Sequence, residues 1–295
     1  MKKVVSLLLA LMLALACVGC GTKNESAPAE DAAANEQTDE GTEAAEPEAD
    51  ADEDAAQPEA DAEDENAEPE TDADTAADDA KSEGVMTYDE YVAAELDTEV
   101  VVETYVQAKQ SWWEDKATVY SQDKDGGYFL YNMACSEEDY EKLTPGTKIK
   151  VTGYKSEWSG EVEIIDATFE IEEGNYVAEA QDVTALLGKD ELIDHQNKFV
   201  SFKGMTVEAS KDADGNDAAF LYNWDGSGQD GDDLYFNVSL DGSTYTFTVE
   251  SYLCDNTTDV YNAVKGLNIG DQVDMEGFLY WYEGVNPHIT SVTVK

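Results

Sequence analysis

From residue 84 to the C-terminus, apolar and polar positions alternate in short runs separated by Gly- and Asp-rich turns, the pattern of strands rather than of long helices. One short helix comes first. Thr87-Tyr-Asp-Glu90 reads as a capping box, and Tyr88, Tyr91, Val92 and Leu96 follow at helical spacing, with Glu95 the one polar member. Three β-rich runs follow, 100–108, 117–122 and 128–133, the last two separated by the turn Asp123-Lys-Asp-Gly-Gly127. Ser136-Glu-Glu-Asp139 opens a helix that puts Tyr140 and Leu143 on one face, and two more strands are predicted over 147–157 and 161–170.

The same order then recurs. Val183, Leu186 and Leu187 predict a short lead-in helix. Strands are expected over 199–209, 218–224 and 244–251, a helix over 257–265 with Val260, Tyr261 and Val264 inward, and strands over 272–281 and 289–294. The repeat is plainest at one stretch. Leu143-x-x-Gly146-x-x-Ile149-x-Val151-x-Gly153 returns as Leu267-x-x-Gly270-x-x-Val273-x-Met275-x-Gly277. It reads as a helix end, a turn in which Gly takes positive φ, and a strand. Matching Val106 with Val207, Cys135 with Cys254 and Leu143 with Leu267 gives offsets of 101, 119 and 124. That places about eighteen extra residues of the second unit between its strands two and three, and five more before its helix. Phe129-Leu-Tyr-Asn132 also equals Phe220-Leu-Tyr-Asn223, but that pairing breaks the stepwise order and is set aside.

Each unit therefore reads β-β-β-α-β-β, and the fold class expected is mainly β: two tandem five-stranded OB-like Greek-key barrels, each with one short helix between strands 3 and 4. On the glycine motif and the strand order, residues 86–295 resemble the tandem OB-like domains of Firmicutes-type bacterial lipoproteins, and also the OB-like modules attached to some secreted nucleases. Both likenesses are signatures of fold, so they carry over no catalytic residue.

Upstream, the composition changes. Met1-Lys2-Lys3 precedes an apolar run over 4–18, nearer a signal h-region than a membrane span. Cys17-Val-Gly-Cys20-Gly21 ends it and resembles a bacterial lipoprotein signal. That resemblance implies a lipidated Cys20, with Cys17 as the alternative, and anchoring on the extracytoplasmic face of the cell membrane. Residues 21–83 hold no Val, Ile, Leu, Met, Phe, Tyr or Trp and are rich in Ala, Glu, Asp and Pro, so a disordered acidic linker is expected there. The organisation expected is thus signal over 1–20, linker over 21–83, and OB-like domains over 84–174 and 175–295.

Charge narrows the partners. The chain carries 17 Lys+Arg against 67 Asp+Glu, none of the basic residues being arginine. From Gly84 onward 13 lysines face 42 acids, which argues against a polyanion such as nucleic acid, whose binding needs a basic groove. Lys148, Lys150 and Lys155 form a small basic stripe on strand four, read as a solvated face. Cys135 and Cys254 hold matching places in the two units and read as separate buried thiols rather than a disulfide.

The catalytic signatures are weak. Gly226-x-Gly-x-x-Gly231 lies among aspartates and before a strand, so it reads as a long hairpin loop, not a phosphate cradle. Asp212, Asp214, Asn216 and Asp217, or Asp225, Asp230, Asp232 and Asp233, could suggest calcium, but the spacing misses the EF-hand glycine and closing glutamate. His195 and His288 are the only histidines, no zinc or serine-hydrolase motif accompanies them, and no cofactor is implied. A non-enzymatic binding module is expected. Its candidate ligand residues are Trp112, Trp113, Trp158, Trp224, Trp281 and Tyr282, aromatics at strand ends suited to stacking on sugars or packing on peptides. Trp112, Trp113 and Trp158 are expected to share one exposed platform. The ligands considered are a glycan, a cell-wall fragment or a peptide. An envelope protein docked on the barrels is the alternative, and a nucleic-acid-binding or nuclease-accessory role a third. The short connection 175–181 has no proline and predicts a packed pair.

Overall fold

A computed structural model describes residues 81–295. The lipidation site at Cys20 or Cys17, the signal segment and most of the acidic stretch lie outside the described residues. Lys81 and Ser82, ahead of the boundary read at Gly84, already bind the first barrel: Lys81 Nζ pairs with Asp123 at 2.6 Å and Ser82 N donates to Glu103 Oε1.

Helix α1 (Tyr88–Ala93) starts on the capping box, with Thr87 and Glu90 answering each other's backbone N–H groups. The first barrel is β1 (Glu99–Lys109), β2 (Lys116–Gln122), β3 (Gly127–Ala134), helix α2 (Glu137–Lys142), β4 (Thr147–Trp158) and β5 (Glu161–Asn175), closed in the order β1-β2-β3-β5-β4. Only β3 and β5 run parallel, which is the crossover of an OB-like Greek key. Inward positions alternate along each strand, so Val100, Val102, Val119, Leu130, Ile149, Val151 and Ile164 meet in one core.

A short β6 (Gln181–Asp182) and two 3-10 turns, Thr184–Leu186 and Asp190–His195, lead into β7 (Phe199–Glu208). Two small pieces, β8 (Ser210–Lys211) with β9 (Asp217–Ala218), and β10 (Leu221–Tyr222), precede β11 (Leu234–Leu240). Then come β12 (Ser243–Val249), α3 (Asp259–Lys265), β13 (Gln272–Phe278) and β14 (His288–Val294). Because β11 also pairs with β7, strands β7, β11, β12, β14 and β13 close a second barrel of the same topology. Around its core lie Phe202, Phe236, Val238, Phe247 and Met275 from the strands and Val260, Tyr261 and Val264 from α3.

This corrects two expectations. Strand two of the second barrel is Leu234–Leu240, not 218–224, and the extra residues lie between strands one and two, not two and three. The alternation Leu234, Phe236, Val238, Leu240 was there to be read. Residues 221–222 are a side strand hydrogen-bonded to the start of β11, so Gly226–Gly231 is the loop of a hairpin. The lead-in helix is a 3-10 turn of three residues, followed by a second one over Asp190–His195.

The repeated glycines have two different reasons. Gly146 and Gly270 sit at φ +92° and +95° in the turn before strand four, where each N–H donates to the matching strand-one carbonyl, Val106 and Val207. Gly153 and Gly277 lie at irregularities in the pairing of strands four and five, where the backbones come too close for a Cβ.

The lysine stripe is not a solvated basic face. Lys148 bridges Glu103 at 2.8 Å and Glu172 at 3.1 Å. Lys155 is buried and caps α1, donating to the carbonyls of Tyr91, Val92 and Ala94. Cys135 and Cys254 are separate, free and buried, as their matching places imply. Burial pushes the Cys135 thiol up to about 11 and the Cys254 thiol up to about 12. The native protein is therefore expected to leave both unreacted with a thiol-disulfide reagent at pH 8, and to react at both only after denaturation. Reaction at native-state speed equal to that of free cysteine would contradict their burial.

Candidate ligand face

OB-like barrels offer one customary surface to a ligand: the outer face of strands two and three with the loops after strands one and four. In the first barrel that surface is covered by the second barrel. Tyr120 of β2 stacks on Phe278 at 4.6 Å between ring centroids, and Phe129 of β3 meets Tyr280 edge-on at 5.3 Å. The Tyr120 hydroxyl lies 2.6 Å from His288 Nδ1, and Tyr280 stacks on the imidazole at 4.2 Å. Burial drops His288 to about 3, so the ring is neutral and Nδ1 shares one hydrogen bond with the phenol. Gln122 accepts from Phe199 N at 2.6 Å, and Gly127 lies so close to the backbone of Asn197 that a Cβ would come within 2.3 Å of it. The two barrels are a packed pair, as the short connection predicts.

The second barrel keeps its counterpart face open. Register places Asn237 where the first barrel has Tyr120, and Thr246 where it has Phe129. Outward from β7, β11 and β12 point Thr206, Glu208, Tyr235, Asn237, Ser239, Thr244 and Thr246, none of them buried. They are already ordered among themselves: Thr246 Oγ1 donates to Asn237 Oδ1 at 2.8 Å, and Ser239 Oγ to Glu208 Oε1 at 2.6 Å. The surface is a lattice of hydroxyls with one amide, Asn237, and one carboxylate, Glu208.

One end of this lattice is walled by aromatic rings. Tyr235 pairs across to Thr248, whose hydroxyl donates to Asn286 of the β13–β14 loop. The same loop carries Trp281 and Tyr282. Tyr282 packs at 5.1 Å on Trp158, which the first barrel extends from the end of β4. Glu283 N donates to Ser159 O at 2.7 Å, so the two strand-four-to-five loops are tied together. Trp158 is 53% and Tyr282 44% exposed, so both rings of the pair are partly open to solvent.

The other predicted aromatics are elsewhere. Trp112 is half-buried, its indole N–H held by Cys135 O at 2.9 Å. Trp113, 71% exposed, stands in the β1–β2 loop, and Trp224, 76% exposed, in the inserted hairpin. No ring contact joins Trp112, Trp113 and Trp158, so the single platform expected of them is replaced by the Trp158–Tyr282 pair. Trp281 is half-buried against the second barrel's core. Tyr235, Asn237 and Thr246 were missed because their role depends on register, which required the correct strand two.

The aspartates proposed for calcium are occupied by their own turns. Asp212 accepts from the amides of Asp214 and Asn216, Asp232 from Gln229 N, and Asp230 pairs with Lys265 and Asn256. Among the described residues no cluster of three or more His, Cys, Asp or Glu is arranged to hold a metal.

No family model matches the chain, and no curated protein matches it in sequence. Several solved structures are similar. A murine DNA-binding protein solved with double-stranded DNA shares 11% identity over 66% of this chain and 96% of its own, with a TM-score of 0.33. An Ifi202 HINa domain in complex with a 20-bp DNA duplex shares 12% over 68% and 96%, with a TM-score of 0.30. A replication protein A heterotrimer bound to single-stranded DNA shares 9% over 72% and 69%, with a TM-score of 0.23. At such identities and scores these likenesses carry no argument about what this chain binds.

Proposed function

We propose that the chain is a non-enzymatic binding module whose second barrel holds an uncharged glycan, free or as part of the cell wall, on the β7–β11–β12 face against the Trp158–Tyr282 wall. The observation that carries this reading is the pairing of an open hydroxyl-and-amide lattice with an exposed aromatic pair at its end. Sugar rings present an apolar C–H face to an aromatic ring and hydroxyls to amides, so the two halves of the surface suit the two halves of a sugar. The charge supports the same choice. An excess of acids over lysines throughout the folded part repels nucleic acid and other polyanions. A lipid on Cys20 would hold this module on the extracytoplasmic face of a membrane.

The test is isothermal calorimetry of the protein with neutral oligosaccharides, muropeptides and single-stranded DNA at physiological salt. Binding of a neutral sugar is expected, with Trp158→Ala and Tyr282→Ala each weakening it about tenfold, or about 1.4 kcal/mol. Trp113→Ala should leave it unchanged. Binding of DNA alone, or of none of the three, would sink the glycan reading; the second result would favour an envelope protein as partner.

A further inference from the structure

The β13–β14 loop that carries Tyr282 is held from the first barrel by one buried side chain. Glu161, the first residue of β5, is 0% exposed. Its Oε2 accepts from Trp281 N at 2.8 Å and from Gln196 Nε2 at 3.1 Å, so it grips the loop and the inter-barrel connection together. Its other oxygen, Oε1, has no hydrogen-bond partner. Beside it lies the Asn197 amide, whose Nδ2 donates to Val162 O at 2.9 Å and whose Oδ1 is also without a partner. Two buried acceptors in one place lack a donor. Turning the amide gives Glu161 an N–H but sets Oδ1 against the Val162 carbonyl, exchanging one unanswered acceptor for another. A proton on Glu161 answers both at once.

We propose that Glu161 is the positioning residue of the ligand face: as a neutral acid it donates to the Asn197 amide while it accepts from Trp281 N, and its ionisation, which sets two buried acceptors against each other at Asn197 Oδ1, opens the seam beside the loop, so that the Trp158–Tyr282 pair is held only while the proton is in place. The consequence for ligand binding rests on the glycan reading above; the clamp itself does not.

The chemistry of the surroundings agrees. Burial raises the Glu161 carboxyl to about 8, against the lowering by its bonds from Trp281 and Gln196, and Glu163 two residues on adds like-charge repulsion. Around it stand Tyr91 of α1, Tyr120 of β2 and Tyr280 of the loop, all phenols that stay neutral in this range. Of the charged groups on adjoining segments, Lys155 of β4 is committed to the α1 carbonyls, Glu157 and Glu283 are exposed, and Lys198 lies over the Tyr88 ring. His195, on the 3-10 turn, is lowered by its own burial. None of these supplies a cation to Glu161. The sign follows from the raised value: the stabilisation is full below about pH 4.5 and is lost as pH rises through about 8.

The experiment is a pH titration of the ligand-free full chain from 6 to 10, read by tryptophan fluorescence and acrylamide quenching. A transition with a midpoint near pH 8 is expected in the wild type. It should vanish in Glu161→Gln, which keeps the low-pH signal throughout, and persist in Glu250→Gln and in Glu163→Gln, which remove the two other buried acids that burial raises, Glu250 to about 7. Trp158→Phe assigns the signal to the pair. A wild type without a transition, or a transition that survives Glu161→Gln, overturns the proposal. If the transition behaves as stated but no sugar binds at any pH, the clamp stands and only the glycan reading falls. If sugar binds, its affinity should fall above pH 8 in the wild type and not in Glu161→Gln.

Discussion

Tyr120→Ala is expected to uncouple the two barrels. The ring is fully buried between Phe129 and Phe278, and its hydroxyl is hydrogen-bonded to a buried, neutral His288. Removing such a side chain costs about 3–5 kcal/mol. The loss falls on the seam rather than on either core, so a single cooperative denaturant transition should split into two. Tyr120→Phe keeps the stack and removes only the hydroxyl, leaving His288 Nδ1 unanswered at about 1–3 kcal/mol. Denaturant unfolding with small-angle scattering checks both; a Tyr120→Ala protein that unfolds in one step at the wild-type midpoint would count against the seam as described. The same pair gives the protein an acid limit. His288 stays neutral down to about 3 when folded, so its stabilisation is full above its ordinary value of about 6.5 and is lost as pH falls from there toward 3. That limb should be present in the wild type and absent in His288→Phe.

Gly277→Ala should be more damaging than the same change at Gly153 or Gly270. A Cβ there would lie 2.2 Å from the carbonyl oxygen of His288, a backbone atom of the partner strand that cannot turn aside. The cost exceeds the roughly 1–3 kcal/mol of ordinary overpacking, because β13 and β14 must part. Gly153→Ala meets Ile164 Cγ2 at 2.7 Å and Ile165 O at 2.8 Å, and should be milder because the first contact is a side chain. Gly270→Ala meets nothing and bears only the strain of φ +95°, about 1–2 kcal/mol. The order Gly277, Gly153, Gly270 is readable from chemical denaturation. A Gly277→Ala protein as stable as Gly270→Ala would refute the close approach.

Much of this architecture is legible in the residues. Thr87 with Glu90 announces α1, alternation gives the first barrel strand by strand, and the doubled glycine motif gives the repeat. The error in the second barrel has a physical cause. An inserted hairpin carries its own β-rich Phe220-Leu-Tyr-Asn223, which competes with the true strand two, and only pairing with β7 decides between them. The ligand face was half legible. Trp158 and Tyr282 stood out as aromatics at strand ends, but nothing local says that they meet, because the contact joins residues 124 positions apart across two barrels. Glu161 was not legible at all: in so acidic a chain, one carboxylate among 67 acids is distinguished only by the burial that the seam imposes.

The contact between the barrels is a knob on one module and a socket on the next: Tyr120 and Phe129 on the outer side of strands two and three, received by Phe278, Tyr280 and His288 at strands four and five. Such a contact does not close on itself. Repeated between identical units it would generate a ring or an open filament, according to whether its rotation closes. Two substitutions terminate the series. At the knob positions the second barrel carries Asn237 and Thr246, whose side chains satisfy each other and shed the aromatic area a further unit would need. At the socket positions the first barrel carries Tyr154, Ser156 and Ile164, so it keeps one ring of the three groups that receive the knob. The surface that the seam consumes in the first barrel is thereby left polar and uncovered in the second.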